Sequence, residues 1–288
     1  LTDVPAGEFA RIWVPLPQTT TEQVVRLGPL LPDARITHDP DYHNAILYLE
    51  RRADAAGRIS VDITYEVRRL AVSGETSPPE QAPPDSPLFL VSNRLMPAGG
   101  KSLSLVSAEA VPADAVAAAR LFYDVVNTHM TYRKDQPGWG RGDSDWACGS
   151  GFGNCTDFHS LFISMARAYR LPARFDIGFL LPEARHADAP HPIAGYHCWA
   201  FVAAQPGRWL PVDISEANQH PEQRDRNFGR LTPDRLTLST GRDLTLDPPQ
   251  AGPPLNFFVY PYAEVGGKPH EKMEKHFEFQ DVAPSPRQ

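Results

Sequence analysis

Three residues of this chain have the types and surroundings of a nucleophile, a base and the base's orienting partner. Cys155 follows a glycine-rich run, Cys148-Gly-Ser-Gly-Phe-Gly-Asn154, and opens a stretch whose apolar residues Phe158, Leu161, Phe162, Met165 and Tyr169 recur at helical spacing. In the first turn of a helix, unpaired backbone N–H groups and the positive end of the macrodipole favour a thiolate over a thiol. At about 100° per residue Cys155 shares a side with Phe158, Phe162 and Tyr169, so its sulfur points toward whatever the helix packs on. His197, in Gly195-Tyr-His-Cys-Trp-Ala-Phe201, opens an apolar strand, and Asp213, in Trp209-Leu-Pro-Val-Asp213, closes the next. If those strands are antiparallel neighbours turning at Gln205-Pro206-Gly207, the start of one lies beside the end of the other and His197 meets Asp213. A thiol nucleophile needs a base that takes its proton and returns it to a leaving amine, and the base needs a third group to fix its tautomer. Each residue also has a plainer reading: a buried structural cysteine, a hydrogen-bonded core histidine, a strand-end turn residue.

Other polar residues cluster around these three. His159 lies one helical turn after Cys155 on the same face, which makes it either a supporting group behind the nucleophile or half of a metal pair. Cys148, Cys155, His159, His197 and Cys198 are residue types that suit zinc. Against this, no CxxC or HxxxH spacing is present, and strand alternation sends His197 and Cys198 to opposite faces, so only His197 is expected to point inward. The expectation is therefore no metal and no cofactor, with Cys148 and Cys198 structural. Asp157, in the first helical turn, complements the dipole. Glu216 either shapes a pocket or caps the turn after Asp213. An oxyanion would be held by the Cys155 backbone N–H and one side-chain donor, for which Trp139, Trp146 and Tyr132 are candidates and Trp139 is favoured. Arg141-Gly-Asp-Ser144 reads as a polar turn over the cleft.

These residues need elements to position them. From Glu8 to Leu70 the pattern is β: residues 9–14 alternate, Ala45 to Glu50 forms a further strand, and Ile59, Val61, Ile63, Tyr65 and Val67 occupy every second position. This predicts a small antiparallel β-domain over residues 1–72. Six prolines between Ser73 and Pro97 then predict an extended linker over 73–97. Helical periodicity follows from Pro112 to Met130 and again from Cys155 to about Pro172. Strand signals come after, at Arg174 to Leu181, His197 to Ala203, Trp209 to Asp213, Leu236 to Leu246 around a Thr240-Gly241 turn, and Leu255 to Tyr260. Helices first and consecutive strands afterwards predict an α+β fold with an antiparallel sheet over 98–282, ending in a polar tail at 283–288.

The order Gly-Asn-Cys-Thr-Asp before a helix, Leu-Pro-Ala-Arg at 171–174, Tyr-His-Cys-Trp, and Trp-Leu-Pro-Val-Asp resembles the transglutaminase-like superfamily of papain-related cysteine enzymes. The resemblance covers about residues 98–262, and the preceding β-domain looks like the accessory domain of bacterial members. It implies Cys155 as nucleophile, His197 as base and Asp213 as its partner, on a fold that packs the nucleophile helix against an antiparallel sheet. The activity it implies is acyl transfer from an amide through a thioester, most simply hydrolysis of peptide or isopeptide bonds. The alternatives are transglutamination by an amine acceptor, and a catalytically silent peptide-binding member of the fold. No calcium loop of the animal transglutaminases is recognisable.

Composition narrows the partners. The 288 residues carry 28 Lys and Arg against 35 Asp and Glu, a formal charge of −7, which lacks the basic footprint of a nucleic-acid binder. No run approaches the roughly 18 apolar residues that span a bilayer. A peptide or protein substrate is the expected partner. With three cysteines there is no disulfide framework. The family resemblance, the acidic balance and the start at Leu1 point to a periplasmic or secreted protein.

Overall fold

A computed structural model of the chain describes residues 1–74, 87–182, 189–205 and 208–282. The polar tail, residues 75–86 of the proline-rich run and the Pro206-Gly207 turn lie outside the described residues.

In the N-terminal part, alternation does what period two dictates. Strand β1 (Phe9–Pro15) turns Ala10 and Ile12 to one core and Trp13 to another. Strands β2 (Gln23–Leu27) and β5 (Tyr65–Arg69) form a separate antiparallel ribbon, with Val25 opposite Val67. Strands β3 (Ala34–His38) and β4 (Ala45–Arg52) extend the β1 sheet on one side, in the register Ile12↔Leu49 and Ile36↔Leu47. On its other side β1 pairs with a strand from the far end of the chain, as described below. The nine-residue strand read from Ile59 to Val67 is present only from Tyr65. Residues 59–64 keep the alternation of burial but have no ladder, because period two reports which side faces a core and not whether the backbone has a neighbour.

Residues 87–97, at the end of the proline-rich run, are packed rather than linker-like. Phe89 meets Trp209 edge-on at 5.1 Å between ring centres, and Met96 is fully buried. Phe89, between the half-buried Leu88 and Leu90, has more to gain from burial than the neighbouring prolines lose.

The second part is organised around one buried helix. Helix α1 (Ala115–His129) starts at Asp114, whose carboxylate accepts the Ala117 N–H. Helix α2 (Ser144–Ser150) starts at Asp143, which accepts the Trp146 N–H, and ends at Gly151 with φ 70°. Three of the seven residues of the expected glycine-rich loop are thus helical: Cys148, Gly149 and Ser150 complete α2, because the Asp143 cap and the burial of Ala147 and Cys148 offset the roughly 1 kcal/mol that Gly149 costs a helix. Helix α3 (Cys155–Ala168) then lies against the antiparallel sheet of β6 (Ala173–Leu180), β7 (His197–Gln205), β8 (Arg208–Val212) and β9 (Arg235–Thr240), in the order β8-β7-β6-β9. Phe158, Leu161, Phe162 and Met165 share a core with Phe175, Ile177, Cys198, Ala200 and Leu238.

The far face of α3 is buried as well, and its polar residues are matched. Ser160 Oγ accepts from Arg242 at 2.7 Å, and Arg167 donates to the carbonyls of Ala173 and Val91. Short helix α4 (Ile214–Gln219) follows β8 directly.

The hairpin expected across Thr240-Gly241 is cut short. After Gly241 only a bridge between Leu244 and Leu255 remains, because buried Arg242 turns inward to Ser160, Gly142 and Asn256 and draws the chain off the sheet. Strand β10 (Tyr262–Val265), followed by β11 (Lys268–Pro269), instead completes the first sheet beside β1, giving the order β11-β10-β1-β4-β3. The N-terminal sheet is therefore built partly from residues 262–269. The fold is α+β, with a helix on an antiparallel sheet and a strand-rich N-terminal region. A cavity of about 420 Å³ between Ile12, Val14, Ile59, Leu238 and Val259 lies away from the residues considered next.

Candidate active site

Cys155 is held at the helix start by a reciprocal cap. Asn154 Oδ1 accepts the Thr156 N–H at 3.0 Å, and Asp157 Oδ2 accepts the Asn154 N–H at 3.0 Å. Asp157 does more than complement a dipole. It also accepts the N–H groups of Gly140 at 2.7 Å and Gly142 at 2.9 Å, tying the loop that carries Trp139 to α3. Burial pushes its carboxyl up to about 6 against the pull of these three donors. Gly153 leaves room for this, since a Cβ there would stand 2.5 Å from Asp157 Oδ2.

The sheet register brings His197 to Asp213. Ala200 pairs with Val212, which sets Asp213 beside Trp199, two residues from His197 and on the same face. His197 Nε2 donates to Asp213 Oδ2 at 2.8 Å. This leaves Nδ1 for Cys155, to which His197 is hydrogen-bonded through its side chain.

Asp213 is fully buried and fully used: Oδ1 accepts from the Glu216 N–H and the Ser215 hydroxyl, each at 3.1 Å, and Oδ2 also accepts from Arg235 Nη2 at 2.7 Å. Burial opposes its charge, but His197 and Arg235 hold the carboxyl well below the usual range. Burial likewise opposes the charge of His197, and Asp213 together with Cys155 outweighs it, raising the imidazolium to about 10. Burial also opposes the thiolate of Cys155. Hydrogen bonds with Cys198 and His197 and the His197 charge overcome it, so the thiol lies well below its ordinary value. The arrangement favours a thiolate beside an imidazolium.

Cys198 stands where the sequence did not put it, while His159 takes the supporting place behind the nucleophile. Alternation does send Cys198 to the face opposite His197, but that face is the one covered by α3, so Cys198 points inward and touches Cys155. Its own thiol is pushed up by burial and by the Cys155 charge, so it stays protonated and donates to the nucleophile. His159 Nε2 accepts the Ile214 N–H at 3.1 Å, so Nδ1 carries the proton and donates to the Cys155 carbonyl at 2.8 Å. Burial lowers its pKa, and its 3.6 Å approach to Asp213 Oδ1 joins a neutral ring to a carboxylate rather than an ion pair. Among the described residues no group of three or more His, Cys, Asp or Glu is placed to hold a metal ion.

Of the three side chains considered for an oxyanion, Tyr132 lies in the site: burial raises its phenol, and the charges of Cys155 and Cys198 add to the shift. Trp146 packs edge-on against Phe152 at 5.3 Å, and Trp139 is 36% exposed with Lys134 over its ring. Among the described residues neither tryptophan has a hydrogen bond or ring contact with Cys155 or His197. Glu216, half-buried in the first turn of α4, is raised by burial and by Asp213, and it serves the site through its backbone N–H.

Sequence reasoning missed Arg235, Tyr196 and Tyr260. Tyr196 accepts from Asn154 Nδ2 at 3.0 Å, and the Tyr260 hydroxyl accepts the Tyr196 N–H at 3.2 Å. No local signal marks Arg235, which opens a strand of mixed character, Arg-Leu-Thr-Leu-Ser-Thr.

Helix, sheet and the Cys–His–Asp set together define a transglutaminase-like fold. Residues 105–214, a stretch that contains Cys155, His197 and Asp213, match the sequence model of the transglutaminase-like superfamily. A Haemophilus influenzae protein of no assigned function is 29% identical over 176 residues, 51% of this chain and 48% of that relative; the match thus spans about half of the relative's length. Two solved structures are similar at 14% identity. A proposed cysteine protease from Cytophaga hutchinsonii has a TM-score of 0.49, with 98% of this chain and 89% of that one covered. The periplasmic domain of TgpA from Pseudomonas aeruginosa has a TM-score of 0.37, with 78% and 92% covered.

Proposed function

We propose that the chain is a cysteine-dependent acyl-transfer enzyme that hydrolyses peptide or isopeptide bonds. The observation that carries this reading is the chain of contacts from Cys155, at a helix N-terminus, through His197 to Asp213 at 2.8 Å. The Cys155 thiolate attacks the amide carbonyl carbon, and the resulting oxyanion takes the Cys155 backbone N–H, with the Tyr132 hydroxyl as second donor. The intermediate collapses as the C–N bond breaks, and the nitrogen leaves with the proton from His197, giving a neutral amine and a thioester on Cys155. Neutral His197 then takes a proton from water as the water oxygen attacks the thioester, releasing the carboxylic acid and restoring the thiolate–imidazolium pair. An amine in place of water gives transglutamination by the same steps; water is the acceptor always present.

We further propose that the protein acts in the periplasm or as a secreted protein, a reading that rests on the family resemblance and is checked by fractionating cells that express the full-length protein.

Iodoacetamide alkylation of Cys155, followed by peptide mass spectrometry across pH in wild type and His197→Ala, tests the chemistry. The expected wild-type midpoint lies between roughly 3.5 and 7.5, rising toward about 8.5 in the variant. A wild-type midpoint near 8.5 defeats the proposal. Incubation with labelled casein, with and without a fluorescent primary amine, separates hydrolysis from amine incorporation.

A further inference from the structure

Asp213 Oδ2 has two donors, and only one of them belongs to the triad. Arg235 opens β9, is 3% exposed, and sends Nη2 to Oδ2 at 2.7 Å and Nη1 to Thr232 Oγ1 at 2.7 Å. His197 Nε2 reaches the same oxygen at 2.8 Å. The other oxygen is saturated by Ser215 and the Glu216 N–H, so the carboxylate cannot turn away from this competition. A buried guanidinium is costly and conformationally fixed, and among the described residues the Nε of Arg235 has no hydrogen-bond partner. The side chain has therefore been buried for what its two Nη groups do.

We propose that Arg235 is a positioning residue for the Asp213–His197 pair: by sharing Oδ2 it fixes the carboxylate and limits how tightly that carboxylate holds the imidazolium proton. This rests on the acyl-transfer reading above, because only an acid that must give up its proton gains from such a limit. An unshared buried carboxylate at 2.8 Å would stabilise the imidazolium further, and His197 would release its proton to a departing amine more slowly.

Other charged and titratable groups also face the pair. Cys155 and His159 approach from α3, Cys198 from β7 and Glu216 from α4, while Tyr123 of α1 and Tyr132 border Asp213 and Arg69 stands near Arg235. Of these groups, only Arg235 and His197 donate to Oδ2.

The test is a pH titration of the His197 ring nitrogens by 15N NMR in the full chain, comparing wild type with Arg235→Met and Arg235→Lys. The expected result is a deprotonation midpoint about one pH unit or more higher in Arg235→Met, returned most of the way by Arg235→Lys, which keeps the cation. Acylation of Cys155 by p-nitrophenyl acetate, whose leaving group needs no proton, is expected to fall less in Arg235→Met than turnover of an amide, whose nitrogen must take the His197 proton. An unmoved His197 midpoint in Arg235→Met overturns the proposal. So does a collapse of ester acylation in a folded variant, which would make Arg235 a prop for the whole site.

If Arg235→Met does not fold, Thr232→Val removes the Nη1 acceptor and leaves the charge; a smaller shift of the same sign supports the proposal and an unmoved midpoint overturns it. Failure of the acyl-transfer reading has a different signature, namely a wild-type Cys155 that alkylates like an ordinary thiol.

Discussion

The imidazole of His159 joins the first residue of one helix to the first residue of another: Nδ1–H donates to the Cys155 carbonyl at 2.8 Å, and Nε2 accepts the Ile214 N–H at 3.1 Å. Cys155 carries the thiol, and Ile214 follows Asp213. The ring therefore sets the distance between the nucleophile's helix and the carboxylate that orients the base, without itself titrating in the reaction.

Replacing His159 removes that spacer. His159→Ala leaves the Ile214 N–H buried without an acceptor, a cost of about 1–3 kcal/mol, and is expected to lower the urea midpoint and slow acylation by p-nitrophenyl acetate at least about tenfold. The pH dependence of stability gives a second check. Because burial lowers the folded-state pKa of His159 below 6.5, the unfolded chain binds the extra proton, and stability falls as pH drops through about 6.5. His159→Gln is expected to flatten that fall; an unchanged acid slope would mean the ring is already charged in the fold.

His197 has the opposite linkage. Its folded-state pKa is raised to about 10, so its contribution to stability is complete below about 6.5 and is lost as pH rises through about 10. The wild type is expected to lose stability across that alkaline window, and His197→Gln to lose less of it. Urea midpoints at pH 6, 8 and 10 in the two proteins measure the difference.

Asp213→Asn is expected to cut turnover by about 10²–10⁴-fold, since an amide can select the wrong tautomer of His197 and cannot stabilise the imidazolium. The pH profile of turnover should narrow from both sides: the acid limb, set by thiolate formation, moves up and the alkaline limb, set by loss of the His197 proton, moves down. Unchanged turnover in a folded Asp213→Asn protein would remove Asp213 from the triad.

What could be read in advance follows a physical division. Cys155, His197 and Asp213 were legible because each sits at the end of a segment with clear periodicity, and helix starts and strand ends are where a chain places side chains without burying its own backbone. The α3 helix and the strands β6 to β8 were legible for the same reason, as their apolar periods dominate the local sequence. Cys198 was misjudged because alternation gives relative faces but not which face the helix covers. Arg235 was invisible because its partner lies 22 residues away on another element, and a buried arginine has the same letter as an exposed one. The pairing of β10 with β1 spans nearly the whole chain, a contact that no local pattern encodes.

Gly153 offers a test that touches none of the reacting groups. A Cβ at this position would stand 2.5 Å from Asp157 Oδ2 and 2.6 Å from Asp157 Cβ, too close for either atom to stay. Asp157 can yield only by giving up the N–H groups of Asn154, Gly140 and Gly142, which frees both the start of α3 and the loop bearing Trp139. Gly153→Ala is therefore expected to cost about 1–3 kcal/mol and to shift the alkylation midpoint of Cys155 upward, because a frayed first turn no longer aims its N–H groups at the sulfur. Hydrogen exchange at Gly140 and Gly142 should quicken in the same variant. Slow exchange at both glycines, with a wild-type alkylation midpoint, would show that the cap tolerates the methyl group and that Asp157 does not govern the nucleophile.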